Sequence, residues 1–172
     1  MNALDEAAPR QAGLRSSEIV GGDLRLVLNN TMTAVEDGRH QISRYLKPWD
    51  VGGAVLNRLE VVFEELVSNT IRHGFGPRSD QVILISVAVR PGAIELAFED
   101  DGLPFNPLEV PVPEPFTSLE DAKLGGLGIP LILKLSTNVH YERIPPGAAH
   151  QMIDGRPFEP CNRVKVSIAN SA

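Results

Sequence analysis

Cysteine is nearly absent. Cys161 is the single one, so no internal disulfide forms and no cysteine-based zinc site can be built within one chain. Cys161 itself reads as a small, half-buried residue at a strand start. Long apolar runs are missing too: none approaches the roughly 20 residues that span a bilayer, and no membrane contact is expected. The opening residues, MNALDEAAPR, lack the basic-then-apolar order of a secretory leader, so the expected location is cytoplasmic. A positive balance is also lacking, with 16 Lys and Arg against 22 Asp and Glu for a net charge of −6. An acidic chain is a poor binder of phosphate backbones through its overall field, and no direct nucleic-acid contact is expected. A local basic pocket for a nucleotide is not excluded by that balance. His40, His140 and His150 have no metal-ligand spacing among themselves and read as surface or strand residues. What is present is 42% hydrophobic residues over 172 positions, enough for one folded domain with a sizeable core.

Residues 1–22 are small, polar and glycine-containing, and read as a flexible N-terminal tail; 23–172 reads as a single domain. Asp23 to Leu28 alternates, with Leu24, Leu26 and Leu28 on one face, which predicts an opening strand with that face in the core. Asn30 or Thr31 is placed to cap a helix running to about Leu46, with Met32, Val35, Ile42, Tyr45 and Leu46 as its apolar stripe. Pro48 stops it. A second helix starts near Val51 to Ala54. Its Leu59, Val62, Phe63, Leu66 and Thr70 recur at threes and fours, the spacing of a buried helix face, and Gly74 is its stop signal. After a turn-rich loop over 75–80, Gln81–Val89 and Ala93–Glu99 read as antiparallel strands joined at Arg90-Pro91-Gly92. The first is almost continuously apolar, so part of both sheet faces is expected to be covered. Residues 100–124, with Pro107, Pro111, Pro113 and Pro115, form a long loop of the kind found as a lid, a binding loop or disorder; the lid is assigned to about 101–124. Ile129–Leu135 reads as a helix with Pro130 in its first turn, Thr137–Arg143 as a strand, 144–160 as a loop, and Arg163–Ile168 as the closing strand. This order does not repeat a βαβ unit, which argues against a doubly wound sheet. The expected fold class is α+β, a two-layer sandwich with a mixed, mostly antiparallel sheet and helices on one face.

Three short segments carry the candidate chemistry. Glu65 and Asn69 are four apart and stack on one face of the second helix. A carboxylate beside an amide oxygen can serve a hydroxyl proton and a hard cation; a solvated edge on a core helix is the plainer account of either residue alone. Asp100 and Gly102 follow the hairpin's second strand. A carboxylate there can accept a hydrogen bond from an exocyclic amine, and glycine lets a base lie close; the plainer account is an Asp-Asp-Gly turn, with Asp101 its solvated member. Gly125-Gly126-Leu127-Gly128 sits just before a helix, where backbone N–H groups and the helix terminus suit an anion, or where the chain simply turns tightly. It is neither G-x-x-x-x-G-K-S/T nor a Rossmann fingerprint, because no strand directly precedes it. E-x-x-x-N on a helix, D-x-G after a hairpin strand, a long lid and G-x-G at a helix start are together far more specific than any one of them.

On those residues the chain resembles the Bergerat-fold (GHKL) ATP-binding superfamily of gyrase, histidine kinases and MutL, and within it the small anti-sigma-factor serine-protein kinases. EELVSNTIRHGF resembles their N box. DDGLPFNP resembles their D-x-G box in its recurring form D-D-G-x-P-F-D/N-P, GGLGIPLI their final glycine box, and NRVKVSI their closing strand. The resemblance covers about residues 23–168. It implies the Bergerat fold, with ATP or ADP and Mg²⁺ as cofactors. It implies that Glu65 is the general base on an attacking serine hydroxyl and that Asn69 ligates a Mg²⁺ bridging the phosphates. Asp100 would take the adenine amine, with Gly102 beside the ring, and Gly126, Leu127 and Gly128 would present backbone to the phosphates. Arg72 and His73 follow Asn69 and either line the phosphate pocket or face solvent, His73 with the alternative of a structural role at the helix end. Phosphoryl transfer asks a protein mainly for positioning and charge neutralisation.

The implied function is an ATP-dependent serine-protein kinase and anti-sigma-type switch. It would phosphorylate a STAS-domain anti-anti-sigma protein and sequester a regulatory partner such as a sigma factor. Members of the family often dimerise, which implies a homodimer; the helix 31–46 and the strand 23–28 lie where such a surface would be, and either also reads as plain core. Two departures stand out. Pro104 occupies a place where the wider superfamily often has a second glycine. Leu124 occupies the place of an arginine that some members set against the terminal phosphate, leaving Lys123 as the nearest cation. The second departure keeps another reading open, a nucleotide-binding module that sequesters its partner with little or no kinase activity. No phospho-acceptor histidine helix is present, which argues against a complete histidine kinase.

Overall fold

A hairpin opens the fold. In the computed structural model, which describes residues 12–77, 80–109, 111, 128–148, 151–153, 156–160 and 162–170, β1 (Leu14–Val20) pairs with β2 (Asp23–Asn29). Gly21 and Gly22 join them at φ of 61° and 94°, a left-handed conformation that only glycine takes without steric cost. Over residues 14–22 the expected tail is thereby replaced by this hairpin, and the domain includes residues before 23. Most β1 side chains are exposed, so no alternation marks the strand; backbone pairing holds it instead. Asp37 secures its start by accepting hydrogen bonds from the Gly13 and Leu14 N–H groups at 2.8 and 3.1 Å.

Helix α1 (Thr33–Leu46) buries Val35, Ile42 and Leu46 as expected. The expected cap at Asn30 or Thr31 is not made: Met32 precedes the helix with no side-chain cap, and the Thr31 carbonyl accepts from Ala34 N–H instead. Met32 itself is 48% exposed and drops out of the apolar stripe. Pro48 lies in a 3₁₀ turn, Lys47–Trp49, that ends the helix. Helix α2 (Gly53–Asn69) buries Leu59, Val62, Phe63 and Leu66 and runs into a π-helical turn, Thr70–Gly74. Then follow β3 (Val82–Arg90), β4 (Ala93–Asp100), α3 (Gly128–Leu135), β5 (Asn138–Arg143), β6 (Gln151–Ile153), β7 (Arg156–Phe158) and β8 (Asn162–Ala169). Among the described residues no helix is long and apolar enough to cross a membrane.

The main sheet has the order β1-β2-β3-β4-β8-β5. Every neighbouring pair is antiparallel among the described residues, so the α+β fold with a mostly antiparallel sheet is as expected, and the sheet is antiparallel throughout. The reason lies in the connections: hairpins join β1 to β2 and β3 to β4, and the α1–α2 pair carries the chain out and back, so β3 enters against β2. Because β2 sits between β1 and β3, strand 23–28 has no free edge; β1 and β5 are the edges. One sheet face carries Leu24, Leu26, Leu28, Ile83, Ile85, Val87, Ile94, Leu96, Phe98, Val166 and Ile168, and all three helices cover it. Each such side chain contributes about 1.5–3 kcal/mol by leaving water. Phe63 of α2 meets Phe98 of β4 at the centre of this layer, rings 6.2 Å apart and tilted by 41°.

The segment 144–160 is not a plain loop. Strands β6 and β7 pair as a small separate hairpin. Phe158 and Ile153 from it pack on Val27, Val82 and Leu84 of the opposite sheet face, which accounts for the two-sided apolar pattern of β3. Cys161 lies outside the described residues, as do residues 1–11 and most of the lid.

Candidate functional site

The C-terminal end of α2, the turn after β4 and the start of α3 enclose a cavity of about 250 Å³ at one end of the sheet. Asn69, His73 and Gly74 line it from α2 and the π turn, Asp100, Leu103, Phe105 and Pro107 from the β4 end, Gly128 and Ile129 from α3, and Asn162 and Val164 from β8. The sequence segments 65–74, 100–107 and 128–129 therefore meet in one place.

Helical spacing puts Glu65 one turn before Asn69. Both are half-buried, and neither side chain makes a hydrogen bond or ion pair among the described residues. Helix α3 starts against them. A methyl group at Gly128 would collide with Glu65 Oε2 and lie 3.2 Å from Asn69 Nδ2, so glycine is what lets the α3 terminus come this close without displacing the Glu65 carboxylate. The free N–H groups of that terminus favour negative charge in front of it.

The D-x-G segment is tied to the end of α2. Leu103 N–H donates to the Gly74 carbonyl at 2.8 Å, and Thr70 Oγ1, at the start of the π turn, donates back to the Leu66 carbonyl of α2 at 2.9 Å. A methyl group at Gly102 would collide with that Gly74 carbonyl and come within 2.8 Å of Asp100 Oδ1. The glycine is thus required by a backbone crossing before any ring is considered.

Asp100 ends β4 with its carboxylate in the cavity wall. Its Oδ1 accepts from Gly102 N–H at 2.8 Å and from Asn162 Nδ2 at 2.9 Å. Burial pushes its pKa above the ordinary carboxylate value; the hydrogen bonds from Asn162 and Gly102 pull the other way, the neighbouring Asp101 adds to the rise, and Arg143 opposes it. Asp101 is half-buried rather than solvated, with Gln81 Nε2 at 3.4 Å from its Oδ1.

His73 is exposed yet lines the cavity, whereas Arg72 is exposed and is not among the lining residues. Lys123, Gly126 and Leu127 lie outside the described residues, as does Leu124. Sequence reasoning missed Asn162, which is 4% exposed and lines the cavity. No spacing signal marks it; its place follows from the register, in which Asn162 of β8 faces Asp100 of β4. Leu103, Phe105 and Pro107, within the segment read as lid, line the cavity as an apolar wall.

Among the described residues no group of three or more His, Cys, Asp or Glu could hold a metal ion. The donor set of Asn69 with Glu65 beside it suits a hard cation that arrives with a phosphate ligand. Mg²⁺ is commonly held through one or two protein oxygens, with phosphates and water completing the shell.

Residues 28–153 match the model of the histidine kinase-like ATPase domain. The anti-sigma F factor of Priestia megaterium is 27% identical over 88 residues, which cover 51% of this chain and 60% of that protein; the chain thus spans less than two thirds of this curated relative. The histidine kinase domain of the blue-light activated histidine kinase from Erythrobacter litoralis EL346 aligns with 83% of this chain and 62% of that one, at 15% identity and a TM-score of 0.42. With the family model spanning β2 to β6, and its helices and strands converging on one cavity, the chain belongs to the histidine kinase-like ATPase domain family.

Proposed function

We propose that this chain is an ATP-dependent protein-serine kinase of the anti-sigma type. The observation that carries the proposal is the meeting of Glu65, Asn69 and Gly128 beside a cavity whose wall also holds Asp100. Asp100 would accept a hydrogen bond from the adenine amine, with Leu103, Phe105 and Pro107 as the apolar wall next to the ring and Gly102 beside it. Gly126, Leu127 and Gly128 would present backbone N–H groups to the phosphates, with His73, Arg72 and Lys123 as the cationic or polar complement. Asn69 would hold Mg²⁺, which when bound neutralises phosphate charge. Glu65 is half-buried and free of other partners among the described residues, so its carboxylate can take a proton. It would accept the proton of a serine hydroxyl as that oxygen bonds to the terminal phosphorus; the bond from phosphorus to the bridging oxygen breaks and ADP leaves.

The likeness to an anti-sigma F factor supports the partner side of this reading: a STAS-domain anti-anti-sigma protein as substrate and a sigma factor as the sequestered partner, in the cytoplasm. Mutually exclusive binding of the two, biased by the nucleotide, would make the switch. A homodimer belongs to the same reading.

The test is calorimetry of ATP binding with and without Mg²⁺ on the wild type and on Asn69→Ala, followed by a phosphoserine assay on a STAS-domain protein. Magnesium-dependent binding that weakens in Asn69→Ala supports the site. Phosphoserine formation that is lost in Glu65→Ala while ATP binding persists supports the kinase. A stable complex without phosphoserine would replace the kinase by a nucleotide-dependent clamp, and a wild type that binds no ATP would end both.

A further inference from the structure

Asn162 has every hydrogen-bonding position of its amide filled. Its Nδ2 donates to Asp100 Oδ1 at 2.9 Å and to the Leu103 carbonyl at 2.8 Å. Its Oδ1 accepts from the Tyr141 hydroxyl at 2.8 Å and from Arg143 Nη1 at 3.1 Å. The partners settle which way the amide points. Arginine can only donate, and a carboxylate or carbonyl oxygen can only accept, so a flipped amide would lose at least three of the four bonds. The register holds the same row in place: Asp100 faces Asn162 across β4 and β8, and Arg143 faces Asn162 across β5 and β8.

Two consequences follow for the cavity. Asn162 has nothing left to offer a ligand, although it lines the wall. Asp100 Oδ1 is occupied by Asn162 Nδ2 and Gly102 N–H, while Asp100 Oδ2 makes no hydrogen bond among the described residues. A carboxylate with both oxygens open pairs with two adjacent donors, the pattern that guanine presents with its N1–H and exocyclic amine. A carboxylate with one open oxygen pairs with a single donor, the pattern of the adenine amine next to an N1 acceptor.

We propose that Asn162 is the residue that sets base selectivity, by completing with Gly102 N–H the filling of one oxygen of Asp100, so that the carboxylate reads one donor rather than two. This rests on the cavity being an adenine-nucleotide site, as proposed above. Asn162 acts through Asp100 and is a positioning residue. Its removal leaves Gly102 N–H as the one remaining donor on Asp100 Oδ1 and takes a donor from the Leu103 carbonyl, so each oxygen gains an open acceptor position for the N–H-rich edge of guanine.

The experiment is calorimetric binding of ATP and of GTP, each with Mg²⁺, to the wild type, Asn162→Ala and Tyr141→Phe, with thermal melts to confirm folding. The wild type is expected to favour ATP. Asn162→Ala is expected to narrow the ATP-to-GTP affinity ratio by about tenfold, because a buried donor left unpaired is what rejects the wrong base. Tyr141→Phe keeps the buried amide and loosens its hold, so a smaller narrowing, about threefold, is expected on the same logic; it carries the test if Asn162→Ala does not fold. A purely structural role would weaken both nucleotides equally. An unchanged ratio in the variants, or a wild type indifferent to the base, overturns the role of Asn162 and leaves the nucleotide site standing. A wild type that binds neither nucleotide overturns the site and this inference with it.

Discussion

At Gly128 one hydrogen in place of a methyl group keeps the Glu65 carboxylate where it is. The atom that a new methyl would strike is the end of a flexible side chain and not backbone, so it can give way at little cost. Gly128→Ala should therefore leave thermal stability nearly unchanged, while the displaced carboxylate loses its approach to a serine hydroxyl. Phosphoserine formation should fall by about tenfold to a hundredfold, since a misplacement of about 1 Å has that scale of effect. Melting curves and a phosphorylation assay separate the two; parallel losses would mean that the glycine matters for the fold alone.

Asp100 makes the pH prediction. Burial raises its pKa above the ordinary carboxylate value. For stability, the sign for a raised acid is that its contribution is fully present below the unfolded value and is lost as pH rises through the folded one. For nucleotide binding the sign is opposite, because the base amine needs the ionised carboxylate. ATP affinity should begin to fall on acidification while ordinary carboxylates are still ionised. Asp100→Asn should bind weakly and without that limb. Calorimetry across the acidic range checks this; a wild-type profile that stays flat down to the ordinary carboxylate range would contradict it.

At the scale of elements, the α1–α2 contact depends on Gly38. A methyl group there would collide with the Phe63 ring and lie 3.3 Å from Leu28 Cδ1. Helix propensity favours alanine by about 1 kcal/mol, and overpacking of a close-packed core costs about 1–3 kcal/mol. Phe63 is 0% exposed and held against Phe98, so it has nowhere to swing and overpacking wins. Gly38→Ala should destabilise the protein by up to about 2 kcal/mol, seen as a lower urea midpoint at unchanged slope. A midpoint that rises would show that α1 can shift away from α2.

At the scale of the molecule, the β6–β7 hairpin covers only a patch of the outer sheet face. Phe158 anchors it on Val27, Val82 and Leu84, apart from the main core. Phe158→Ala removes most of that anchor, so the hairpin should open without the sheet. Hydrogen exchange should rise at the β6 and β7 amides while β3 and β4 stay protected. Uniform loss of protection would mean that the hairpin is part of the global fold unit.

Local spacing determined much of this protein. The leucines of β2, the threes and fours of α2 and the hairpin at Arg90-Pro91-Gly92 are legible because period and turn chemistry act over a few residues. The four-residue step from Glu65 to Asn69 put both on one helix face before any tertiary contact was known. Strand β1 was not legible, because its side chains stay in water and its stability comes from β2. The three-residue strands β6 and β7 were not, because they are too short to show a period. Only the tertiary structure decided that Gly102 is demanded by the Gly74 carbonyl, that Gly128 abuts Glu65, and that Asn162, 62 positions from Asp100 in sequence, holds its carboxylate. The physical reason is the same in each case: hydrogen bonds and close approaches between distant segments are set by strand register and helix packing, which no short window of sequence contains.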